Sequence, residues 1–142
     1  VVEKLIKNAE KSVLMTGYSI SDYFTGMLDT IIAKSQQGVY VRFYVNDIEK
    51  SRASLVKMLA YRSKYLQFFE YEKNSDDKMA ASHAKILTID SDKSLVSSAN
   101  LSYHGLSGNI EMGFLVRSAD KAKQIEELLK ELVRMHVYKK IS

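Results

Sequence analysis

Apolar positions follow two different periods along the first half of the chain. Helical spacing of apolar residues predicts three helices, at residues 1–10, 22–37 and 49–62. Short apolar or aromatic runs predict three buried strands, at residues 12–18, 39–45 and 65–71. Strands and helices therefore alternate along the chain, and a parallel sheet with right-handed crossovers is the simplest topology for that order.

The second half of the chain has a different pattern. A polar loop at residues 73–78 is followed by three further predicted strands, at residues 83–89, 93–98 and 110–116. The first two are separated only by Asp90-Ser91-Asp92, so they are expected to form an antiparallel hairpin. A final amphipathic helix is predicted at residues 119–137. Together these elements predict an α/β fold, an α/β/α sandwich with a mixed, largely parallel central sheet.

Polar and small residues mark several helix ends. Ser21 is the expected N-cap of the second helix, and Gly38 is the residue expected to stop it. Ser118 is the expected N-cap of the final helix.

Composition limits the classes of protein to consider. The 142 residues are 46% hydrophobic and 27% charged, as in soluble globular proteins, and we expect residues 1–142 to form a single domain. We find no stretch long enough to cross a membrane and no signal-like amino terminus, so a cytoplasmic location is expected. Cysteine is absent and there are three histidines, which offers little for a metal site. Chemistry without a metal or cofactor is therefore expected.

Charge points to an anionic partner. The net charge is +4, with an isoelectric point near 9.1. This bias favours nucleic acid or an anionic lipid surface. Because the basic residues are spread along the whole chain, most of them are expected on solvated helix faces.

Residues with potential for chemistry cluster around the predicted hairpin. His83 and Lys85 are two residues apart in a predicted strand, so they are expected on the same face. Ser98 and Asn100 share one face of the following segment by the same period. A nucleophile or base, a fixed positive charge and two neutral hydrogen-bonding groups suit a phosphate oxyanion better than a neutral carbonyl.

The run from His83 to Asp90, followed by Ser97-Ser98-Ala99-Asn100 and then Glu111, resembles the HxKxxxxD signature of the phospholipase D superfamily. The resemblance implies that His83 attacks phosphorus to form a covalent phosphohistidine. It also implies that Lys85 and Asn100 hold the non-bridging oxygens, with Ser98 in support, and that Glu111 accepts a hydrogen bond from the imidazole.

Two residues of these patterns, Asp90 and Ser97, are expected to act differently from the others. Asp90, at the mouth of the turn, is expected to hold the turn or an ion pair rather than to contact substrate. Ser97 stands where the family's GSxN pattern has glycine. Serine is small enough for the fold to survive, and activity and substrate preference are the properties that we expect this change to affect.

The chain carries one HxK motif, whereas the family builds an active site from two. Neither His104 nor His136 has the matching context. The resemblance therefore implies a homodimer, as in the single-motif nucleases of the family, or a second HxK domain elsewhere in a longer protein.

Three functions follow from the resemblance. The first is a metal-independent nuclease, expected to be an endonuclease acting on DNA or RNA, with roles in DNA degradation, restriction or defence against foreign DNA. The second is a phospholipase or phosphatidyltransferase acting on lipid phosphodiesters. The third is a catalytically silent binding module of a larger assembly. The basic charge and the small single-motif chain favour the nuclease.

Overall fold

A computed structural model describes residues 2–17, 27–72, 83–97 and 112–141. Within these ranges the chain forms helices and strands in the order α1 (Val2–Lys7), β1 (Ser12–Gly17), α2 (Leu28–Gln36), β2 (Tyr40–Val45), α3 (Ile48–Ala60), β3 (Leu66–Tyr71), β4 (Ile86–Ile89), β5 (Lys93–Ser97), β6 (Gly113–Arg117), α4 (Ala119–Arg134) and β7 (Tyr138–Ile141).

The described strands form one seven-stranded sheet in the order β6-β5-β4-β1-β2-β3-β7. Strands β1, β2 and β3 are parallel neighbours, and α2 and α3 lie in sequence between them as crossover helices. All other neighbours, β1–β4, β4–β5, β5–β6 and β3–β7, are antiparallel. The predicted mixed sheet is confirmed. It is not largely parallel, because only two of the six neighbouring pairs of described strands, those joined by helical crossovers, are parallel.

The sheet is covered on both faces. One apolar cluster joins α1, α2 and α3 to the sheet face that carries Val13, Phe43 and Phe68. A second, smaller cluster on the other face packs Leu129 of α4 against Leu14, Tyr44, Phe69 and Tyr138. The predicted sandwich is therefore confirmed, with the larger core on the α1–α3 side.

Strand β7 was missed by the sequence pattern, which extends the last helix to residue 137. The helix ends at Arg134 instead, because His136 has a left-handed φ of 62°. The Val137 amide then donates to the Leu132 carbonyl, and the His136 amide donates to the Val133 carbonyl. This Schellman turn sends the chain back along β3.

Two of the three predicted helix caps are confirmed, and the third lies outside the described residues. The Ser118 hydroxyl accepts a hydrogen bond from the Lys121 amide, as expected of an N-cap. Gly38 has a φ of 91° directly after α2, which confirms its role as the stop. Helix α2 begins at Leu28 within the described residues, and Ser21 lies outside them. No helix in the described ranges is long and apolar enough to cross a membrane.

Candidate active site

His83 and Lys85 lie just before β4, not within it as the sequence pattern predicted. The strand begins at Ile86, and His83 is exposed while Lys85 is half-buried. The Lys85 Nζ donates a hydrogen bond of 3.0 Å to the His83 carbonyl oxygen. The structure therefore brings the ammonium group of Lys85 to the backbone of His83. A lysine ammonium has three donors, so one bond to a carbonyl is compatible with binding an anion as well.

The direction of β4 determines where this pair lies. Strand β4 is antiparallel to β1, with Met15 opposite Leu87, so the start of β4 is beside the carboxyl end of β1. The parallel strands β2 and β3 end at the same edge of the sheet. This edge is where ligands bind in open α/β sheets.

Thr16 ties the end of β1 to the segment that carries the pair. Its hydroxyl donates to the Ala84 carbonyl at 2.7 Å and accepts from the Ile86 amide at 2.8 Å. On the other side, the Lys85 carbonyl accepts from the Ser97 amide at 3.0 Å. Although residues 83–85 are not a strand, their backbone is therefore held by both neighbouring strands. Sequence reasoning did not identify Thr16.

Asp90, the last residue of the HxKxxxxD signature, has a structural role. Its carboxylate accepts hydrogen bonds from the backbone amides of Glu10, Lys11 and Ser12, the shortest of which is 2.7 Å. It lies at the far end of β4 from His83, in a tight turn with φ values of 57° at Asp90 and 51° at Ser91. Asp90 was expected to hold its own turn or an ion pair. Its carboxylate instead holds the connection between α1 and β1, which is also a structural role.

Ser97, the departure from the GSxN pattern, lies opposite a glycine. Gly113 of β6 is its register partner, and a Cβ added to Gly113 would be 2.8 Å from the Ser97 Cβ. That distance is too short for two real side chains, so the missing side chain of Gly113 leaves room for Ser97. The expectation that the fold accommodates serine here agrees with this geometry.

The remaining predicted site residues, Ser98, Asn100 and Glu111, lie outside the described residues. Their roles stay predictions.

Acidic side chains at the same edge of the sheet are used to begin α3. The Glu70 carboxylate accepts from the Ile48 amide at 2.7 Å, and the Asp47 carboxylate accepts from the Glu49 amide at 3.1 Å. Carboxylates are favourable at helix N-termini because of the exposed amides and the helix dipole. Across the described ranges, no group of three or more acidic or histidine side chains is placed to hold a metal ion.

The chain is similar to known proteins in sequence and in fold. The family model described as "Cardiolipin synthase, PLD-like domain" matches residues 2–133. The chain belongs to the phospholipase D-like family. DISARM protein DrmC of Bacillus paralicheniformis is 32% identical to this phospholipase D-like chain over 141 residues, which is 99% of the chain and 58% of DrmC. The chain thus spans little more than half of that relative.

Two solved structures share the phospholipase D-like fold. Nuc, a phospholipase D family member from Salmonella typhimurium, superposes with a TM-score of 0.76 at 18% identity, covering 99% of this chain and 88% of Nuc. NucT from Helicobacter pylori superposes with a TM-score of 0.75 at 15% identity, covering 96% of this chain and 87% of NucT. At these identities the similarity shows a common fold.

Proposed function

We propose that this phospholipase D-like domain is a metal-independent nuclease that cleaves phosphodiester bonds of DNA through His83. The observation that carries the proposal is the His83–Lys85 pair, held at the ligand-binding edge of the sheet in a chain that belongs to this family. Such a site combines a nucleophile with a fixed positive charge, as phosphoryl transfer requires.

The proposed reaction has two displacements at phosphorus. A ring nitrogen of His83 attacks phosphorus, so that a P–N bond forms and the P–O bond to the leaving alcohol breaks. A second imidazole gives its proton to the leaving oxygen. That imidazole then takes a proton from water, whose oxygen displaces His83 and releases a phosphate monoester. Lys85 holds the non-bridging oxygens in both steps, and Ser98, Asn100 and Glu111 keep the supporting roles that the family resemblance implies.

The second imidazole is proposed to be His83 of a second copy. Strand β6 is at one end of the strand order, two strands from β4, and no described strand pairs with its outer edge. Its side chains are exposed and mostly apolar; Phe114 is 72% exposed, and its register partner Val96 is 42% exposed. An exposed apolar edge strand is a surface that favours association.

DNA is the proposed substrate on two grounds. The net charge of +4 favours a polyanion. Similarity to a DISARM protein and a shared fold with proteins named Nuc and NucT support the same choice. The family model's description names a cardiolipin synthase, so a lipid phosphodiester is the second candidate.

The test is cleavage of plasmid and single-stranded DNA by the purified chain in EDTA. We expect His83→Asn to abolish cleavage, and His136→Asn to leave it unchanged. The second variant is a matched control, since His136 is exposed at the end of α4 and asparagine tolerates its left-handed backbone. Cleavage by His83→Asn equal to the parent chain would refute the histidine mechanism. Hydrolysis of phosphatidylglycerol vesicles without DNA cleavage would establish the lipid candidate.

The second copy is tested by molecular mass in solution. We expect Phe114→Lys to weaken self-association by about 10- to 30-fold and to lower DNA cleavage at dilute protein to the same extent. Val56→Lys is the control, because Val56 is 60% exposed on α3, away from the β6 edge. A monomeric parent chain with full activity would rule out the second copy.

A further inference from the structure

The antiparallel pairing of β1 with β4 stops one residue short of Thr16. The paired positions are Val13 with Ile89, Leu14 with Thr88, and Met15 with Leu87. Beyond them the Thr16 hydroxyl bonds the Ala84 carbonyl and the Ile86 amide. A side-chain hydroxyl therefore continues the connection between the strands on both sides of Lys85.

The Thr16 side chain is well suited to hold this segment rigidly. It is only 4% exposed, so water has poor access to replace its bonds. Threonine is β-branched, which restricts rotation about its first side-chain bond. Its hydroxyl uses its one donor and one of its two acceptor lone pairs on the two peptide groups that flank Lys85.

We propose that Thr16 is a positioning residue that fixes Lys85, and through it His83, in the geometry needed for reaction at phosphorus. Thr16 bonds the backbone of the motif, so it acts without touching substrate. This inference rests on the proposed function of the His83–Lys85 pair. Displacements of about 1 Å at a reacting group are enough to cost about 100-fold in rate.

The experiment compares variants of two buried threonines. Thr16→Val keeps the shape of the side chain and removes the hydroxyl, and Thr16→Ser restores the hydroxyl. Thr88→Val is the matched control, because Thr88 is also fully buried and its hydroxyl is 3.0 Å from that of Ser94, within the β4–β5 hairpin.

For DNA cleavage at equal folded fraction, we expect Thr16→Val to lower kcat by about 10- to 100-fold with little change in KM. Thr16→Ser and Thr88→Val should stay within about threefold of the parent chain. Equal losses in kcat for Thr16→Val and Thr88→Val would overturn the inference, because they would show only a general effect of losing a buried hydroxyl. If Thr16→Val does not fold, Thr16→Ala replaces it in the same comparison.

A second readout does not depend on activity. The Ile86 amide should exchange with solvent at least about tenfold faster in Thr16→Val than in Thr88→Val. The His83 ring signals in NMR spectra should shift only in the Thr16 variant. If the parent chain cleaves no DNA, the proposed nuclease function fails, while these two signals still decide whether Thr16 positions the motif. Unchanged exchange at Ile86 would overturn the inference for Thr16.

Discussion

The sheet has two halves that differ in burial. The parallel half, β1 to β3, is covered by helices on both faces and contains most of the large buried side chains, including Phe43, Tyr44 and Phe68. In the antiparallel half, β4 to β6, burial falls from strand to strand until every residue of β6 is exposed. The His83–Lys85 pair belongs to the second half.

This difference in burial suggests separate roles for the two halves, one in stability and the other in the proposed reaction. Because the parallel half buries the most apolar surface, it should supply most of the free energy of unfolding. The antiparallel half carries the proposed His83–Lys85 site and an exposed apolar edge. Substitutions in the parallel half should therefore mainly change the free energy of unfolding, whereas those in the antiparallel half should mainly change the proposed reaction or self-association.

The largest contrast is expected between two phenylalanines. Phe68 in the parallel half is fully buried and stacks on Phe43 with ring centroids 5.3 Å apart, whereas Phe114 is mostly exposed. Phe68→Ala should lower the free energy of unfolding by about 3–5 kcal/mol. Phe114→Ala should change it by less than about 0.5 kcal/mol. Urea unfolding at a protein concentration too low for self-association measures both. Similar losses in both variants would contradict the division of the sheet.

High pH should weaken the parallel half through Tyr44. Burial raises the pKa of Tyr44 to about 12, whereas a tyrosine in the unfolded chain ionises near pH 10. The unfolded chain therefore loses its proton first, and stability that is intact below pH 10 falls between pH 10 and 12, by up to about 2–3 kcal/mol.

The Tyr44 prediction is measured by urea unfolding of the parent chain and Tyr44→Phe across that pH range. Other tyrosines and lysines titrate in both proteins, so the difference between the two curves isolates Tyr44. Parallel curves would show that burial of Tyr44 is not coupled to ionisation.

The connection between the two halves should depend on Asp90. Asp90→Ala leaves three backbone amides without their carboxylate partner, and we expect a loss of about 2 kcal/mol. Asp90→Asn, which keeps one acceptor oxygen, should cost less. At a temperature where both variants are folded, kcat for DNA cleavage should match the parent chain. A large fall in kcat for fully folded Asp90→Ala would assign Asp90 to the reaction.

The smallest effect is expected within the antiparallel half, at the Ser97–Gly113 pair. Gly113→Ala places a Cβ 2.8 Å from that of Ser97, and the required shift should cost about 1 kcal/mol. Combining it with Ser97→Gly should recover part of this loss. A double-mutant cycle from urea unfolding measures the coupling, and additive losses would mean that the two positions do not compete for space.

Much of the fold could be predicted from the chain because local patterns and tertiary packing agree there. Each correctly predicted feature depends on residues that are close together in the sequence. Examples are the apolar runs of β1 to β3, the glycine that ends α2 and the Ser118 cap. Strand β7 could not be predicted, since the run after Arg134 keeps a helical pattern and the turn depends on a left-handed histidine, a residue type that does not mark such turns as glycine does.

In the candidate site, too, some features could be predicted from the sequence and others could not. His83, Lys85 and the structural role of Asp90 were indicated by motif spacing and by position at a turn. Thr16 gave no such signal, because a threonine within an apolar strand is ordinary and its partners are about 70 residues away. The small size of Ser97 indicated that the fold would accept it, but its pairing with Gly113 across β5 and β6 could not be predicted from the sequence.

The contacts of Asp90 affect how homologous sequences are sorted. A search that requires every letter of HxKxxxxD treats the aspartate as equal to the histidine and the lysine. In this chain its carboxylate ties down a connection at the far end of the strand from His83. We therefore expect a homologue that keeps the histidine and lysine but lacks the aspartate to be less stable. It should be assayed at lower temperature before it is considered inactive.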